Sequence, residues 1–362
     1  MKICIDARFW GSEHSGLGRY TENVVSELIS LDKQSTFVIL LRSKYASLPF
    51  PSHVTSVVCD IPHYSLLEQL TLPGVVESLK PDVFYALHLN VPILLKTPVV
   101  VTIHDLIKSH FKGPETTTHN LLLFPFKRLG YNMVIGSIIK KSSAIIVPSN
   151  FVKGDLSRTF PSSERRIHVV KEAVAPIFTS KPRKLLSIHD YPSKYILFVG
   201  NAYPHKNLNT LISALRHLPK DIKLAVVSKQ NTFLRRTLAS VSPDLSSRLV
   251  LFEGVSDSQL YSLYQRAMVT AIPSLMEGYG LVGIESLSVG TPIVVSDIPV
   301  FKEVYGKRAL YVDPGSPREL ASKVLESIKL PRRKFKNTRT WKDVAGEIKE
   351  ILDETGTRLR SA

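Results

Sequence analysis

The sequence predicts an α/β protein with parallel sheets in two successive halves. Short β-type runs alternate with helical patterns from one end of the chain to the other. Residues 172–193 interrupt that rhythm with Pro176, Pro182, Pro192 and several serines, the composition of a linker. The rhythm restarts at Tyr195-Ile-Leu-Phe-Val-Gly200. At 362 residues the chain has room for two domains of ordinary size. The expected division is 1–172 and 173–340, two Rossmann-like domains facing a central cleft, with ligands at the carboxyl ends of the strands.

In the first half the expected strands are Lys2–Asp6, Phe37–Leu41, Thr55–Cys59, Val83–Ala86, Val99–Ile103 and Ala144–Val147, each a short apolar run. Helical patterns cover Arg19–Leu31, Leu66–Leu79 and about Leu121–Lys141. After the Tyr195 strand come Lys223–Val227, Leu249–Phe252, Val269–Pro273, Pro292–Val295 and Ala309–Val312, with helices such as Leu208–Arg216 and Ser256–Arg266 between them. In the tail, 341–362, the residues Trp341, Val344, Ala345, Ile348, Ile351 and Leu352 recur at helical spacing.

Composition narrows the classes. Apolar residues make up 44% and charged residues 22%, as in a folded globular protein. Cys4 and Cys59 lie in apolar runs and read as two buried thiols in a reducing compartment. The N-terminus reads as a first strand without the layout of a signal peptide, and no apolar run approaches the length of a membrane span, so a cytoplasmic protein is expected. Lysine and arginine number 47 against 31 acidic residues, a net charge of +16 that favours acidic partners. Zinc-ligand spacing and RNA-binding aromatic signatures are both missing, so no nucleic-acid partner is expected.

The most informative stretch is Glu277-Gly-Tyr-Gly-Leu-Val-Gly-Ile-Glu285, two carboxylates with glycines between them, placed after a buried strand and running into a helix. A glycine-rich turn before a helix offers backbone N–H groups at the helix's positive end, which suits a diphosphate. The stretch resembles the E-x7-E motif of retaining glycosyltransferases of the GT-B fold, family 4. Gly290-Thr-Pro-Ile-Val-Val-Ser296 is similar to the strand that follows it there, and Glu303-Val-Tyr-Gly306 to the next loop. The resemblance implies a GT-B protein whose last helix crosses back onto the N-terminal domain. Glu285 then accepts hydrogen bonds from ribose hydroxyls, Glu277 holds the donor sugar, and Gly278, Tyr279, Gly280 and Leu281 cradle the phosphates.

Gly200-Asn-Ala-Tyr-Pro-His-Lys-Asn207 lies between a strand and a helix. A lysine at a helix start opposes the helix dipole, and a bound phosphate removes that conflict. The stretch is similar to the family's second phosphate-binding element, with Lys206 as main cation, His205 where arginine is usual and Asn201 where some members carry another arginine. His205 also reads as an ordinary surface histidine. In Ser15-Gly-Leu-Gly-Arg-Tyr20, Gly16 and Gly18 permit close approach of a ligand. The position after the first strand fits the family's N-terminal loop over the donor phosphates. Arg19 is either turned to the cleft or in an exposed first helical turn. His104 and Asp105 end a buried strand, and the resemblance puts His104 beside the transferred sugar; the plain reading is a histidine capping the next turn. Ser256 and Gln259 have the spacing of a capping box. The family's base-contacting loop falls at Gly254–Val255.

The implied activity is transfer of a hexose from a nucleotide-diphosphate sugar to a saccharide or lipid-linked saccharide, with retention and by front-face attack. No D-x-D motif occurs, so neither metal nor other cofactor is expected. The Ile5-Asp-Ala-Arg8 opening, Gly-Leu-Gly-Arg-Tyr and Tyr-Pro-His-Lys-Asn resemble bacterial mannosyltransferases of polysaccharide assembly and favour GDP-mannose, with UDP-sugars next. An epimerase or phosphorylase of the same fold, or a non-catalytic scaffold, are the alternatives. A nicotinamide dehydrogenase is disfavoured because Gly16 and Gly18, after the first strand, do not form the full dinucleotide G-x-G-x-x-G. The basic, aromatic segment His110–Lys141 reads either as a helix lying on an anionic membrane or as a core helix with solvated lysines, its first part broken by Pro125. The cluster Arg332–Lys336 either adds to such a surface or is a flexible connection.

Overall fold

The computed structural model describes residues 1–111, 113, 124–180, 191–336 and 338–361. The chain forms two compact units: Met1–Leu106, Leu122–Ala173 and Arg339–Ala362 make the first, and Ile107–Leu121 with Val174–Thr338 the second.

The first unit is built on a parallel sheet in the order β3-β2-β1-β4-β5-β6-β7. Its strands are β1 Lys2–Asp6, β2 Thr36–Leu41, β3 Val54–Val58, β4 Val83–Ala86, β5 Val99–Thr102, β6 Ala144–Val147 and β7 Ile167–Val169. The helices are α1 Ser15–Leu31, α2 Leu66–Ser78, α3 Ile107–His110 (which falls with the second unit), α4 Phe124–Lys141 and α5 Asn150–Thr159. Along β1, Ile3 and Ile5 enter one buried cluster and Cys4 the other, so both faces of the sheet are covered. That burial on both sides is what lets parallel strands read as unbroken apolar runs. Both cysteines are buried free thiols. The last helix, α14 Trp341–Ser361, crosses back to this unit, where Trp341, Val344, Ala345, Ile348 and Leu352 share a core with α1.

The second unit has a parallel sheet in the order β10-β9-β8-β11-β12-β13. Its strands are β8 Tyr195–Val199, β9 Lys223–Val227, β10 Leu249–Phe252, β11 Val269–Ile272, β12 Ile293–Ser296 and β13 Ala309–Val312. Its helices are α6 Pro176–Thr179, α7 Leu208–Ala214, α8 Thr232–Ala239, α9 Pro243–Ser246, α10 Asp257–Arg266, α11 Leu281–Val289, α12 Pro299–Tyr305 and α13 Pro317–Ser327. In both sheets the chain runs outward to one edge and then returns to the other side of its first strand. The reversal points are the β1/β4 and β8/β11 boundaries, where open α/β sheets bind ligands.

Several expectations need correction. Gly16 and Gly18 lie in the first turn of α1, not in a loop. The apparent linker contains α6, whose Phe178 is buried and meets Tyr264 edge-on at 5.8 Å. Glu303-Val-Tyr is the end of a helix, α12, not a loop. Pro125 does not break the described helix, which runs from Phe124 to Lys141. Lys112 and residues 114–123 of the expected basic segment lie outside the described residues.

Candidate active site

Four contacts tie the loop after β8 to the loops after β11 and β13. Lys206 Nζ lies 2.6 Å from Glu277 Oε1. The Leu275 N–H donates to the His205 carbonyl at 2.7 Å. Asn207 Nδ2 donates to the Pro273 and Pro314 carbonyls at 3.0 and 2.8 Å. Asn207 holds a left-handed backbone, φ 55°, at the start of α7, and asparagine tolerates that conformation better than most residues. This staple places Lys206 over Glu277. Ser274 Oγ also donates to Glu277 Oε1, at 2.7 Å. Burial pushes the Glu277 carboxyl up, but Lys206, by charge and hydrogen bond, together with His205 and Ser274, outweighs burial and holds its pKa below the usual value. The site therefore keeps an ionised carboxylate beside an ammonium.

The glycines after Glu277 have a specific neighbour. Gly280 caps α11 with φ +98°, and a Cβ there would lie 2.3 Å from Tyr305 Oη. A Cβ on Gly283 would lie 2.4 Å from the Tyr305 ring. Tyr305 Oη donates to the Gly280 carbonyl at 2.5 Å. Burial, then the charge of Glu277, raises the Tyr305 hydroxyl well above the ordinary tyrosine value, so it stays a neutral donor. Glu285, one turn into α11, is buried and accepts from Tyr264 Oη at 2.9 Å. Gly278 and Tyr279 are buried, while Leu281 is half-buried at the helix start. Asn201 follows β8, beside Gly200 with its φ of +138°. His205 is stacked on Tyr203 at 5.7 Å and meets Phe111 at 5.9 Å. Val255 sits past β10, just before the capping box that Ser256 and Gln259 form at the start of α10.

In the first unit, His104 follows β5. Its Nδ1 lies 3.1 Å from Glu172 Oε1 and its Nε2 3.1 Å from the Leu87 carbonyl. Tyr20 meets the ring edge-on at 4.5 Å. Gly16 is exposed. Gly18 is buried, and a Cβ there would overlap the Gly11 carbonyl at 1.9 Å, so its close approach is to the chain itself. At the β1/β4 reversal point Arg8 is fully buried between Asp6 (2.6 Å) and Glu68 (2.7 Å). Above this pair Phe9 stacks on His63 at 3.7 Å and approaches His14 and His88 at 5.1 and 5.2 Å. Among the described residues no cluster of His, Cys, Asp or Glu suits a metal ion.

Comparison with known proteins decides the family. A model described as Glycosyl transferases group 1 matches residues 187–353, and one described as Glycosyltransferase Family 4 matches residues 14–176. The chain belongs to the group 1 glycosyl transferases. Among curated proteins this glycosyltransferase is similar to the O-antigen chain mannosyltransferase RfbU of Salmonella typhimurium, at 26% identity over 77% of the chain and 83% of the relative. It is also similar to the O-antigen chain mannosyltransferase B of Escherichia coli, at 25% identity over 73% of the chain and 70% of the relative. Its fold is similar to that of sucrose-phosphate synthase from Thermosynechococcus elongatus, with a TM-score of 0.70 at 17% identity over 98% of each chain. The GT-B fold expected for the glycosyltransferase is thereby shown.

The structure brings Lys206, His205 and Glu277 together and sets Gly280, Leu281 and Glu285 on the adjoining helix start. Sequence reasoning missed Tyr305, Asn207, Ser274, Tyr264 and Glu172. The return of the chain places Tyr305, Tyr264 and Glu172, whereas Asn207 and Ser274 are near neighbours of Lys206 and Glu277 in ordinary local patterns. The histidines at 14, 63 and 88 lie past the ends of separate strands, and the fold gathers them around Phe9.

Proposed function

We propose that this glycosyltransferase moves a hexose, mannose first, from a nucleotide-diphosphate sugar to a saccharide or lipid-linked saccharide, with retention and without a metal. The observation that carries the reading is the Lys206–Glu277 pair, held at a reversal point of the second sheet beside the start of α11. A bound diphosphate takes Lys206 and the N–H groups at that helix start as its donors, and both stabilise the leaving group as its charge develops. Glu277 then faces hydroxyls of the donor sugar and the developing positive charge at its anomeric carbon. Glu285 takes ribose hydroxyls. Retention follows from front-face attack, with the departing phosphate accepting the acceptor's proton.

The names of the two mannosyltransferase relatives support mannose and, with it, GDP as the nucleotide. The peripheral membrane contact proposed for a lipid-linked acceptor is supported by exposed leucines on α2 and by the net charge of +16. No helix among the described residues is long and apolar enough to cross a membrane.

A panel of GDP- and UDP-sugars, assayed for free nucleotide with and without EDTA, tests the reading. GDP-mannose is expected to give the fastest release, unchanged by chelation. Faster release from UDP-glucose, UDP-galactose or UDP-GlcNAc replaces the donor. Interconversion of nucleotide sugars without release, or release only in the presence of inorganic phosphate, replaces transfer by epimerisation or phosphorolysis.

A further inference from the structure

His104 is sandwiched between two hydrogen-bond acceptors. Its Nε2 faces the Leu87 carbonyl, which can only accept, so Nε2 carries a proton. Its Nδ1 faces Glu172 Oε1, on the segment that follows β7. With Nε2 protonated, a neutral ring would turn the lone pair of Nδ1 toward a carboxylate oxygen. A second proton removes that conflict, and the charge of the carboxylate favours placing it on the ring. Both partners are shielded, the His104 side chain at 21% exposure and Glu172 at 9%, which strengthens the attraction over its value in water.

We propose that Glu172 is a positioning residue that fixes His104 as an imidazolium, with both N–H groups aimed at protein acceptors. This rests on the donor-site reading of His104 and refines it. A ring held in this way is a fixed cation. It does not act as a base, because it has no free lone pair.

The other groups facing the ring agree. Burial disfavours the charged ring, but the hydrogen bond and charge of Glu172, then the Leu87 carbonyl and Asp105, outweigh it and raise the His104 pKa. Tyr20, from α1, stays neutral because burial raises its hydroxyl well above the ordinary value. Its Oη lies 3.4 Å from both Tyr85 Oη and Thr102 Oγ1, a neutral hydroxyl cluster beneath the ring. Burial likewise raises the Tyr85 hydroxyl, to about 12.

The sign of the linkage follows. A raised pKa means that the pair stabilises the fold below the ordinary histidine range and is lost as pH rises through the folded value. Glu172→Gln separates charge from shape. A glutamine amide can donate to Nδ1 while Nε2 still donates to Leu87, so the same placement accepts a neutral ring.

Long-range 1H–15N spectra of histidine-labelled protein, with the His104 signals assigned by their loss in His104→Gln, decide the matter without a substrate. The two imidazolium nitrogens are expected to remain alike through neutral pH, with a midpoint above the ordinary value of about 6.5. In Glu172→Gln the midpoint is expected to fall by about one unit or more, and Glu172→Asp should restore part of it. A wild-type midpoint at or below the ordinary value overturns the proposal by itself, even if a variant fails to fold. So does an equal midpoint in wild type and Glu172→Gln. With a donor in hand, kcat/KM should fall as pH rises through the wild-type midpoint, and this limb should move to lower pH in Glu172→Gln. A rise through that midpoint makes His104 a base and overturns the proposal. If no nucleotide sugar is turned over, the donor-site reading fails, and the spectra still decide what Glu172 does.

Discussion

Lys206 and Glu277 form an ion pair of 2.6 Å across the loops that follow β8 and β11. Lys206→Met should therefore act on both binding and stability. In calorimetry, affinity for a nucleoside diphosphate should drop by far more than affinity for the matching nucleoside, by roughly 1.5–3 kcal/mol for a lost charge-assisted bond. Equal losses for both ligands remove the phosphate role. The stability effect has a sign. The Glu277 pKa is depressed, so the pair stabilises the fold above the ordinary carboxylate range and loses that contribution as pH falls through the folded value. The difference in Tm between wild type and Lys206→Met should be present at neutral pH and shrink toward acid.

Tyr305 crowds both glycines at the start of α11, and the left-handed backbone of Gly280 makes them unequal. Gly283→Ala sets a methyl group against the Tyr305 ring and should cost about 1–3 kcal/mol by overpacking. Gly280→Ala meets Tyr305 too, and adds about 1–2 kcal/mol for a left-handed backbone. Adding Tyr305→Leu should recover most of the loss at Gly283 and only part at Gly280, as denaturant unfolding can measure. Equal recovery at both positions removes the distinction.

Arg8 is fully buried and bridges the carboxylates of Asp6 and Glu68, and His63 Nδ1 lies 3.6 Å from Glu68 Oε1. Arg8→Met removes the cation that bridges these buried carboxylates and should cost about 3–5 kcal/mol. Burial raises the Asp6 pKa, but Arg8 outweighs burial and leaves it depressed. The deficit is therefore greatest above the ordinary carboxylate range and should narrow as acid protonates Asp6. A deficit that grows toward acid contradicts this arrangement.

The fold was legible because every strand is an apolar run bounded by turn residues, and parallel sheets covered on both faces demand such runs. The E-x7-E stretch and Lys206 were legible because a cation and a glycine turn at helix starts conflict with helix propensity unless a ligand or partner resolves the conflict. Glu172 was not legible, since a lone glutamate in Val170-Lys-Glu-Ala173 has no periodicity to mark it. Gly18 misled for a related reason. A glycine signals close approach without saying to what, and here the approach is to the Gly11 carbonyl. Arg332 is exposed, and its guanidinium donates to the carbonyls of Gln265 and Ala267 at the end of α10, which ties the start of the Arg332–Lys336 cluster to the second unit.

The membrane prediction rests on α2 and α4 in the first unit. In α4 the core reading holds for Ile135, Ile138 and Ile139, which are buried, whereas Leu129 and Met133 stand 59% and 56% exposed. At the start of α2, Leu66, Leu67 and Leu70 are 83%, 51% and 70% exposed, and Leu94 in the neighbouring loop is 64% exposed. Gln69 accepts from the Ile93 N–H and Lys141 Nζ donates to the Ile93 carbonyl, so α2, this loop and the basic end of α4 adjoin. Apolar side chains clustered in this way on a helix start are uncommon on a soluble surface. Burying each leucine in the acyl boundary gains roughly 1.5–3 kcal/mol, and each nearby lysine adds about 1 kcal/mol at an anionic leaflet. Full-length protein should sediment with anionic vesicles at low salt and less at high salt, as screening weakens the lysine contribution. Leu66→Ser with Leu70→Ser should reduce binding at least tenfold and leave Tm unchanged, since neither side chain is part of the core. Absence of wild-type binding at low salt would remove the membrane contact and leave a soluble acceptor. Binding that survives the leucine changes intact would assign the contact to charge alone.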